Sequence, residues 1–167
     1  MRTGPILAAA ALSLMAAACG KSDTAAPAGD QASSATTAPA AVEISPEEKQ
    51  KILASLPAPY NTADVDNGKT KFGLCQSCHT IAPGGANMTG PNLHGIFGKK
   101  AAAHPDFKYS EALKTAGFVW DGPHLDQWLA KPQTFLPGTK MTFAGLKDEK
   151  DRTDLIAYLM VETGHKP

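Results

Sequence analysis

The chain has no excess of charge of either sign, because 16 Lys and Arg balance 16 Asp and Glu for a formal net charge of +0. Without a basic field, the sequence offers no general attraction for nucleic acid. After Ala18 it also lacks an apolar run of about 20 residues, so no later segment is expected to cross a membrane. No strand pattern of alternating apolar and polar residues persists, which favours an all-α fold.

Large apolar side chains are sparse relative to the amount of loop that the sequence indicates. Residues 81–104 are rich in Gly, Pro and Asn, and their turn signals "PGG" and "GPN" predict irregular structure. So few apolar residues would not build a sufficient core under long loops. We therefore expect a bulky cofactor to complete the core.

The N-terminal residues divide into two segments that are not expected to pack. Residues 1–18 carry one basic residue and then an apolar run that ends in small residues, which is typical of a secretory signal peptide. Residues 19–44 are dominated by Ala, Ser, Thr, Pro, Gly and Asp and are predicted to be a disordered linker. The mature protein is therefore expected to be exported, with an uncleaved N-terminal anchor as the alternative.

The remaining chain is predicted to hold a short helical extension at 45–59 and a main domain at 60–167. Ser45, Pro46 and Glu48 form a capping box that predicts the extension helix, which we expect at the periphery of the domain. Gly68 lies inside the next predicted helix, where a glycine suggests that another element crosses closely; simple tolerance of the glycine is the alternative. Helical patterns in the main domain cover residues 64–75, 109–116, 122–130 and 148–163.

Cysteine is scarce, with three in the chain, yet Cys75 and Cys78 are separated by two residues and followed directly by His79. A thioredoxin-like redox pair would need a preceding strand and a βαβ context. A structural zinc site would need four protein ligands, and there is no second cysteine pair. The third interpretation is thioether attachment of haem, with the histidine as an axial ligand of the iron. The five-residue signature is specific, and in an exported protein it favours haem.

A second axial ligand would come from a methionine or from another histidine. Met141 is favoured because it lies in "FLPGTKMTF", where Pro137 and Gly138 turn the backbone into a loop. Met160 belongs to the last predicted helix and Met88 to a short loop, where packing or exposure is the more ordinary role. The other histidines are interpreted as loop or surface residues: His94, His104, His124 and His165.

Several segments together resemble the class I cytochromes c, in particular the mitochondrial and alphaproteobacterial type: "CQSCHT", "TGPNLHGIFGKK", "FKYSEALKTAG", "FLPGTKMTFAGLK" and "DRTDLIAYL". The resemblance covers about residues 60–161 and implies few helices and long loops around one covalently bound haem c. It implies thioethers at Cys75 and Cys78 and axial ligation by His79 and Met141. Pro91 is implied to support the axial imidazole through its carbonyl.

The resemblance also implies the surroundings of the haem. Tyr109 and Trp120 are similar to the family's hydrogen-bond donors to a buried propionate, and Thr139 to a hydroxyl beside it. Phe143 is similar to the aromatic that shields the exposed haem edge. For the three aromatic residues, core packing alone is the alternative. Lys99 and Leu113 depart from the residues common in mitochondrial members, where an arginine and a polar residue are usual.

With both axial positions filled by side chains, the implied function is one-electron transport and not an enzymatic reaction. The sequence predicts a monomeric carrier between a quinol-oxidising cytochrome complex and a terminal oxidase or another periplasmic acceptor. The alternative is a haem enzyme or gas sensor in which Met141 is weakly held. Nothing in the sequence places an acid and base pair beside Met141 to support that alternative.

The third cysteine, Cys19, ends a segment "LMAAAC" that resembles a bacterial lipobox, although Ala16 occupies the position usually held by leucine. Lipidation at this cysteine would anchor the carrier to the periplasmic side of a membrane. Ordinary cleavage near Ala18 is the alternative, and it would leave a free thiol. The sequence does not indicate which bacterial membrane would hold the anchor.

Overall fold

The computed structural model of the protein describes residues 44–165. The predicted signal peptide, Cys19 and nearly all of the linker lie outside the described residues. Within them, no helix is long and apolar enough to cross a membrane. The helices are α1 (Pro46–Ser55), α2 (Val65–Phe72), α3 (Glu111–Thr115), α4 (Gly122–Ala130), α5 (Pro132–Phe135) and α6 (Glu149–Glu162), with a 3₁₀ turn at Tyr60–Thr62.

The all-α prediction is confirmed, since the described chain forms no strand beyond a single isolated bridge between Lys100 and Val119. Five of the helices begin at a side chain that accepts a backbone N–H of the first turn, as the sequence patterns predict. These N-cap residues are Ser45, Asp64, Ser110, Asp121 and Asp148. Helix α3 is shorter than the predicted range, and α5 was not predicted at all. Helix α5 is a single turn without a side-chain cap, and Pro132 at its first position is its one N-terminal signal in the sequence.

Helices α2 and α6 cross at Gly68, which explains the glycine inside α2. A Cβ atom at this position would lie 2.7 Å from Tyr158 Cβ and would also overlap the Asp154 carbonyl group. One turn later, the rings of Phe72 and Tyr158 pack with their centroids 5.7 Å apart. The close crossing predicted from the sequence is therefore present between these two helices.

A cluster of polar side chains also connects α2 and α6 at this crossing. Asp154 on α6 is 1% exposed, and its carboxylate accepts hydrogen bonds from the Asp64 backbone N–H at 2.9 Å and from Asn67 Nδ2 at 2.8 Å. It also pairs with Lys150, one turn earlier on α6. A buried carboxylate needs such partners, because an unpaired charge is costly away from water. The cluster ties the start of α2 to α6.

Helix α1 is mostly exposed, as expected for a peripheral helix, but one side chain within it and one just after it join it to the main domain. Its Ile52 is 6% exposed and Leu56, just after the helix, is 3% exposed, and both belong to the main hydrophobic core. Lys49 Nζ lies 2.7 Å from Glu162 Oε1 at the end of α6. The hydrophobic pattern of this helix is too short to predict its partner, so the packing on α6 became apparent only in the fold.

Candidate haem site

The two cysteines and the histidine lie in one turn of backbone directly after α2, which we call the attachment turn (residues 75–79). Cys75 N–H bonds to Phe72 O at 2.8 Å, so the turn continues from the helix. Cys78 N–H and His79 N–H both donate to Cys75 O, at 3.0 and 2.9 Å. Cys75 and Cys78 are therefore one turn apart along the chain, and both are free thiols without a disulfide.

The groups around the two thiols do not form a protein-only metal site. Burial, and secondarily the neighbouring Cys78, raises the pKa of Cys75 to about 11, which keeps it protonated at neutral pH. Within residues 44–165, no three His, Cys, Asp or Glu side chains converge as a protein-only metal site would require. The geometry of the zinc alternative is therefore not found in this part of the chain.

His79 is held in one orientation by the loop that follows the attachment turn. Its Nδ1 lies 2.7 Å from Pro91 O, so Nδ1 carries the proton that the carbonyl accepts. Burial lowers the pKa of His79, which favours the neutral ring. Nδ1 is thereby occupied, and Nε2 is the nitrogen left for a metal ion. The hydrogen bond implied for Pro91 is present, whereas iron ligation by His79 stays a prediction.

Gly90 allows the loop to approach the imidazole. A Cβ atom on Gly90 would lie 2.6 Å from His79 Nε2 and 2.7 Å from Nδ1, so any side chain here would displace the ring. Gly90 N–H also donates to Cys78 O at 2.9 Å, which joins the loop to the attachment turn. The glycine of "TGPN" was read from the sequence only as a turn signal, and its packing against the ring was missed.

Asn92 is a second residue whose role the sequence did not indicate. Its side-chain amide donates to Thr80 Oγ1 at 2.6 Å and to Ala82 O at 3.0 Å, and its carbonyl oxygen accepts His94 N–H at 2.8 Å. His94 Nδ1 in turn lies 3.2 Å from Ile81 O. This exposed histidine therefore connects two parts of the loop, in agreement with its interpretation as a loop residue. These bonds fix residues 80–94 beside His79.

Met141 lies in a loop whose backbone is hydrogen-bonded to a side chain of α5. Gln133 Nε2 donates to Met141 O at 2.7 Å and to Thr139 O at 3.2 Å. Met141 N–H donates to Thr139 Oγ1 at 3.3 Å, which leaves the hydroxyl hydrogen of Thr139 free to donate elsewhere. Gln133 was missed from the sequence because it belongs to the unpredicted helix α5.

The other methionines considered from the sequence have ordinary environments. Met88 is 47% exposed, whereas Met160 is 3% exposed within the packed face of α6. Met141 is half-buried and packs against the core. The ranking of the three methionines therefore agrees with their environments, although none of these observations tests ligation.

The aromatic residues implied near a propionate occupy two packed groups. Trp120 is 6% exposed and packs edge-on against Phe118 and Trp128, with centroids 4.7 and 5.4 Å apart. Tyr109 is half-buried and packs against Phe107 at 4.8 Å, and burial raises the pKa of its hydroxyl. Core packing thus accounts for much of their position, and their bonds to a propionate stay predictions.

The donor set of this region fits a covalently bound haem. Two thiols one turn apart suit two thioether bonds, and the adjacent imidazole offers Nε2 to iron. Apolar side chains that remain only partly buried occur in the same segments, as expected where a large apolar group packs. They include Ile81, Leu93, Leu136, Met141 and Phe143.

The sequence profile of the cytochrome c family matches residues 65–161, more than half of the chain. The chain belongs to the cytochrome c family. It is 54% identical over 85 residues to cytochrome c of Theileria parva, covering 51% of this chain and 73% of that protein. It is 41% identical over 108 residues to cytochrome c2 of Blastochloris viridis, covering 65% of this chain and 85% of the relative.

Among solved structures, the chain is similar to cytochrome cH from Methylobacterium extorquens, with 42% sequence identity and a TM-score of 0.55. The match covers 58% of this chain and 97% of that structure. The class I cytochrome c fold is thereby confirmed. The protein carries one haem c, attached through Cys75 and Cys78, and is an electron carrier like its family.

Proposed function

We propose that this cytochrome c carries single electrons in the periplasm, from a quinol-oxidising cytochrome complex to a terminal oxidase or another periplasmic acceptor. His79 and Met141 serve as the axial ligands of the iron. The observation that supports the proposal is the bond of 2.7 Å between His79 Nδ1 and Pro91 O, which leaves Nε2 available to bind a metal. A haem with both axial positions filled by side chains supplies reversible one-electron transfer and has no position for a substrate.

The protein's part in this function is to keep the ligand set the same in both oxidation states. Pro91 O fixes the imidazole by accepting its Nδ1–H, and Gly90 leaves the ring room to stay there. Gln133 holds the backbone on either side of Lys140, so the Met141 loop has a fixed path. Rigidly held ligands lower the reorganisation energy of each electron transfer, because the groups around the iron change position less.

Four further residues are proposed to shape the haem surroundings. Tyr109 and Trp120 donate to a propionate through their O–H and Nε1–H, and Thr139 uses its hydroxyl hydrogen for the same group. Phe143, which is half-buried against the core, covers the haem edge from water. Excluding water there stabilises the thioether ligation of the iron and raises the reduction potential.

The proposed location is the periplasmic face of a bacterial membrane. The signal-like residues 1–18 support export, and Cys19 in its lipobox-like segment supports a lipid anchor. More than one acyl chain gives stable anchoring, and the linker then lets the carrier reach membrane complexes nearby. No nucleic acid is expected among the partners, because the chain has no net charge.

The axial ligation by Met141 is tested with carbon monoxide, using the haem-loaded protein matured in a periplasm. We expect the reduced wild-type protein to keep its low-spin visible spectrum when carbon monoxide is added, since both axial positions are filled. Met141→Ala opens one position and gives a carbon monoxide adduct at once. Met88→Ala is the matched control, because Met88 is exposed and its loss leaves both ligands in place.

A rapid spectral change in the wild-type protein would contradict the carrier proposal. It would favour the haem enzyme or gas sensor with a labile Met141. An identical response of Met141→Ala and Met88→Ala would instead reject Met141 as the ligand. The two failures are distinct, because the first is read from the wild type and the second from the variants.

A further inference from the structure

Residues 72–98, which include the attachment turn, contain no Lys, Arg, Asp or Glu. Two histidines lie in this segment. The ring of His79 is turned onto Pro91 O, and that of His94 lies against Ile81 O. The segment that surrounds the haem thioethers therefore presents a surface without a lysine, arginine or carboxylate.

The same segment exposes two large apolar side chains, Leu74 at 60% and Met88 at 47%. Leu74 directly precedes the first haem-bearing cysteine. Met88 N–H donates to Gly90 O at 2.8 Å, and Gly90 N–H donates to Cys78 O at 2.9 Å, so Met88 is joined to the attachment turn through one residue. Among the described residues, one other large apolar side chain is comparably exposed, Val119 at 39%.

Two lysines near the segment direct their ammonium groups to other partners, whereas Lys99 and Lys100, which directly follow the segment, are exposed. Lys71, three residues before Leu74, forms an ion pair of 2.7 Å with Asp151 on α6. Lys140, next to Met141, directs its ammonium group to Lys108 O at 3.1 Å and Tyr109 O at 3.2 Å. Neither Lys71 nor Lys140 is bonded to this segment, and Lys99 and Lys100 lie at the opposite end of it from Leu74 in the sequence.

We propose that Leu74, Met88 and the uncharged backbone around the attachment turn form a docking surface for a redox partner whose own contact patch is uncharged and apolar. This inference rests on the proposed function as an electron carrier and names the chemistry of its partner. A partner seated here would lie beside the two cysteines that hold the haem.

Charge complementarity decides the kind of partner. A charged patch pressed against residues 72–98 would lose its hydration and meet no opposite charge, which is unfavourable. An apolar patch would remove Leu74 and Met88 from water and gain from the hydrophobic effect. Such a complex forms with little long-range steering, so its rate depends weakly on salt.

The test measures oxidation of the full-length, haem-loaded, reduced protein by membranes from a producing strain that lacks its gene. We expect the rate to change by less than about twofold as ionic strength rises from about 10 to about 300 mM, because screening has little charge to act on. The double variant L74Q/M88Q removes both apolar contacts without adding charge. It should lower the rate at least about fivefold, as expected for central interface residues.

The matched control is V119Q, which makes the same kind of change at an exposed apolar residue outside the segment. It should oxidise at the wild-type rate, and all variants should react equally with ferricyanide, which shows an intact haem. A rate that falls tenfold or more with salt would overturn the docking proposal. So would equal rates for L74Q/M88Q and V119Q.

Failure of the carrier function gives a different result. In that case the membranes would not oxidise the protein at any ionic strength, although ferricyanide would. That outcome would overturn both the carrier proposal and the docking surface that rests on it.

Discussion

Gly68 has no side chain because helix α6 occupies the space that one would need. The first atoms that a Cβ would meet belong to the Asp154 carbonyl group and to Tyr158, and backbone cannot move aside as a flexible side chain can. Alanine in a helix interior is favoured over glycine by about 1 kcal/mol. Overpacking costs about 1 to 3 kcal/mol and lies at the upper end of that range where backbone is struck.

Gly68→Ala is therefore expected to lower the free energy of unfolding of the haem-loaded protein by about 2 kcal/mol, despite the better helix propensity. Chemical denaturation followed by haem absorbance measures this change. Lys69→Ala, on the exposed surface of the same helix, is the control and should shift stability by less than about 0.5 kcal/mol. If Gly68→Ala were as stable as the control, the two helices would have to separate without cost.

Individual residues differ in how far the sequence reveals them. Cys75, Cys78 and His79 are recognisable because covalent attachment fixes their spacing. Gln133 and Asn92 act by hydrogen bonds to groups six to twelve residues away in the sequence, and such bonds depend on the path of the folded loops. A single sequence carries no signal for them.

At the scale of helices, α1 shows where a local pattern stops being informative. Its start was predictable, because Ser45 caps the helix through a hydrogen bond from Glu48 N–H at 3.2 Å. Its partner was not, since Ile52 and Leu56 are an apolar pair that any neighbouring surface would bury. The ion pair between Lys49 and Glu162 joins residues far apart in the chain and appears only when α6 is in place.

The α2–α6 crossing should also contribute to acid sensitivity. Burial raises the pKa of Asp154, but hydrogen bonds from Lys150, Asn67 and the Asp64 backbone outweigh burial, and the pKa lies below its usual value. A carboxyl whose pKa is lower in the folded state stabilises the fold above its unfolded pKa. That contribution is lost as the pH falls through the folded pKa.

We therefore expect Asp154→Asn to be less stable than the wild type at pH 7 and to approach it between about pH 5 and about pH 2. Urea denaturation at a series of pH values measures the difference between the two proteins. Asp106→Asn, in an exposed loop, is the control and should follow the wild type throughout. A constant gap between Asp154→Asn and the wild type would mean that the ionised carboxylate contributes no pH-dependent stability.

For the whole molecule, the fold class could be predicted because two independent features agree. The helical patterns begin at recognisable N-cap residues. The Gly- and Pro-rich stretch between residues 81 and 104 needs a large group to pack against. The packing order of the helices could not be predicted in the same way. It depends on shape at crossings such as Gly68, where the deciding property is the distance to a neighbour that is remote in sequence.

The position of the domain relative to a membrane depends on the segment before Ile44. Ile44 enters the domain beside the end of α6, since a Cβ on Gly164 would lie 3.5 Å from Ile44 Cδ1. The flexible coil predicted from the composition of residues 20–44 would span about 25 to 30 Å on average, so anchoring at Cys19 would hold the carrier near membrane complexes. Cys19→Ser should leave haem attachment intact but move the protein from the membrane to the aqueous periplasmic fraction, because the acyl chains are lost. Fractionation followed by haem staining measures this, with Ser33→Ala as a control that keeps the cysteine. An unchanged distribution of Cys19→Ser would rule out lipid anchoring, and the carrier would then have to find its partners by diffusion or through an uncleaved N-terminal segment.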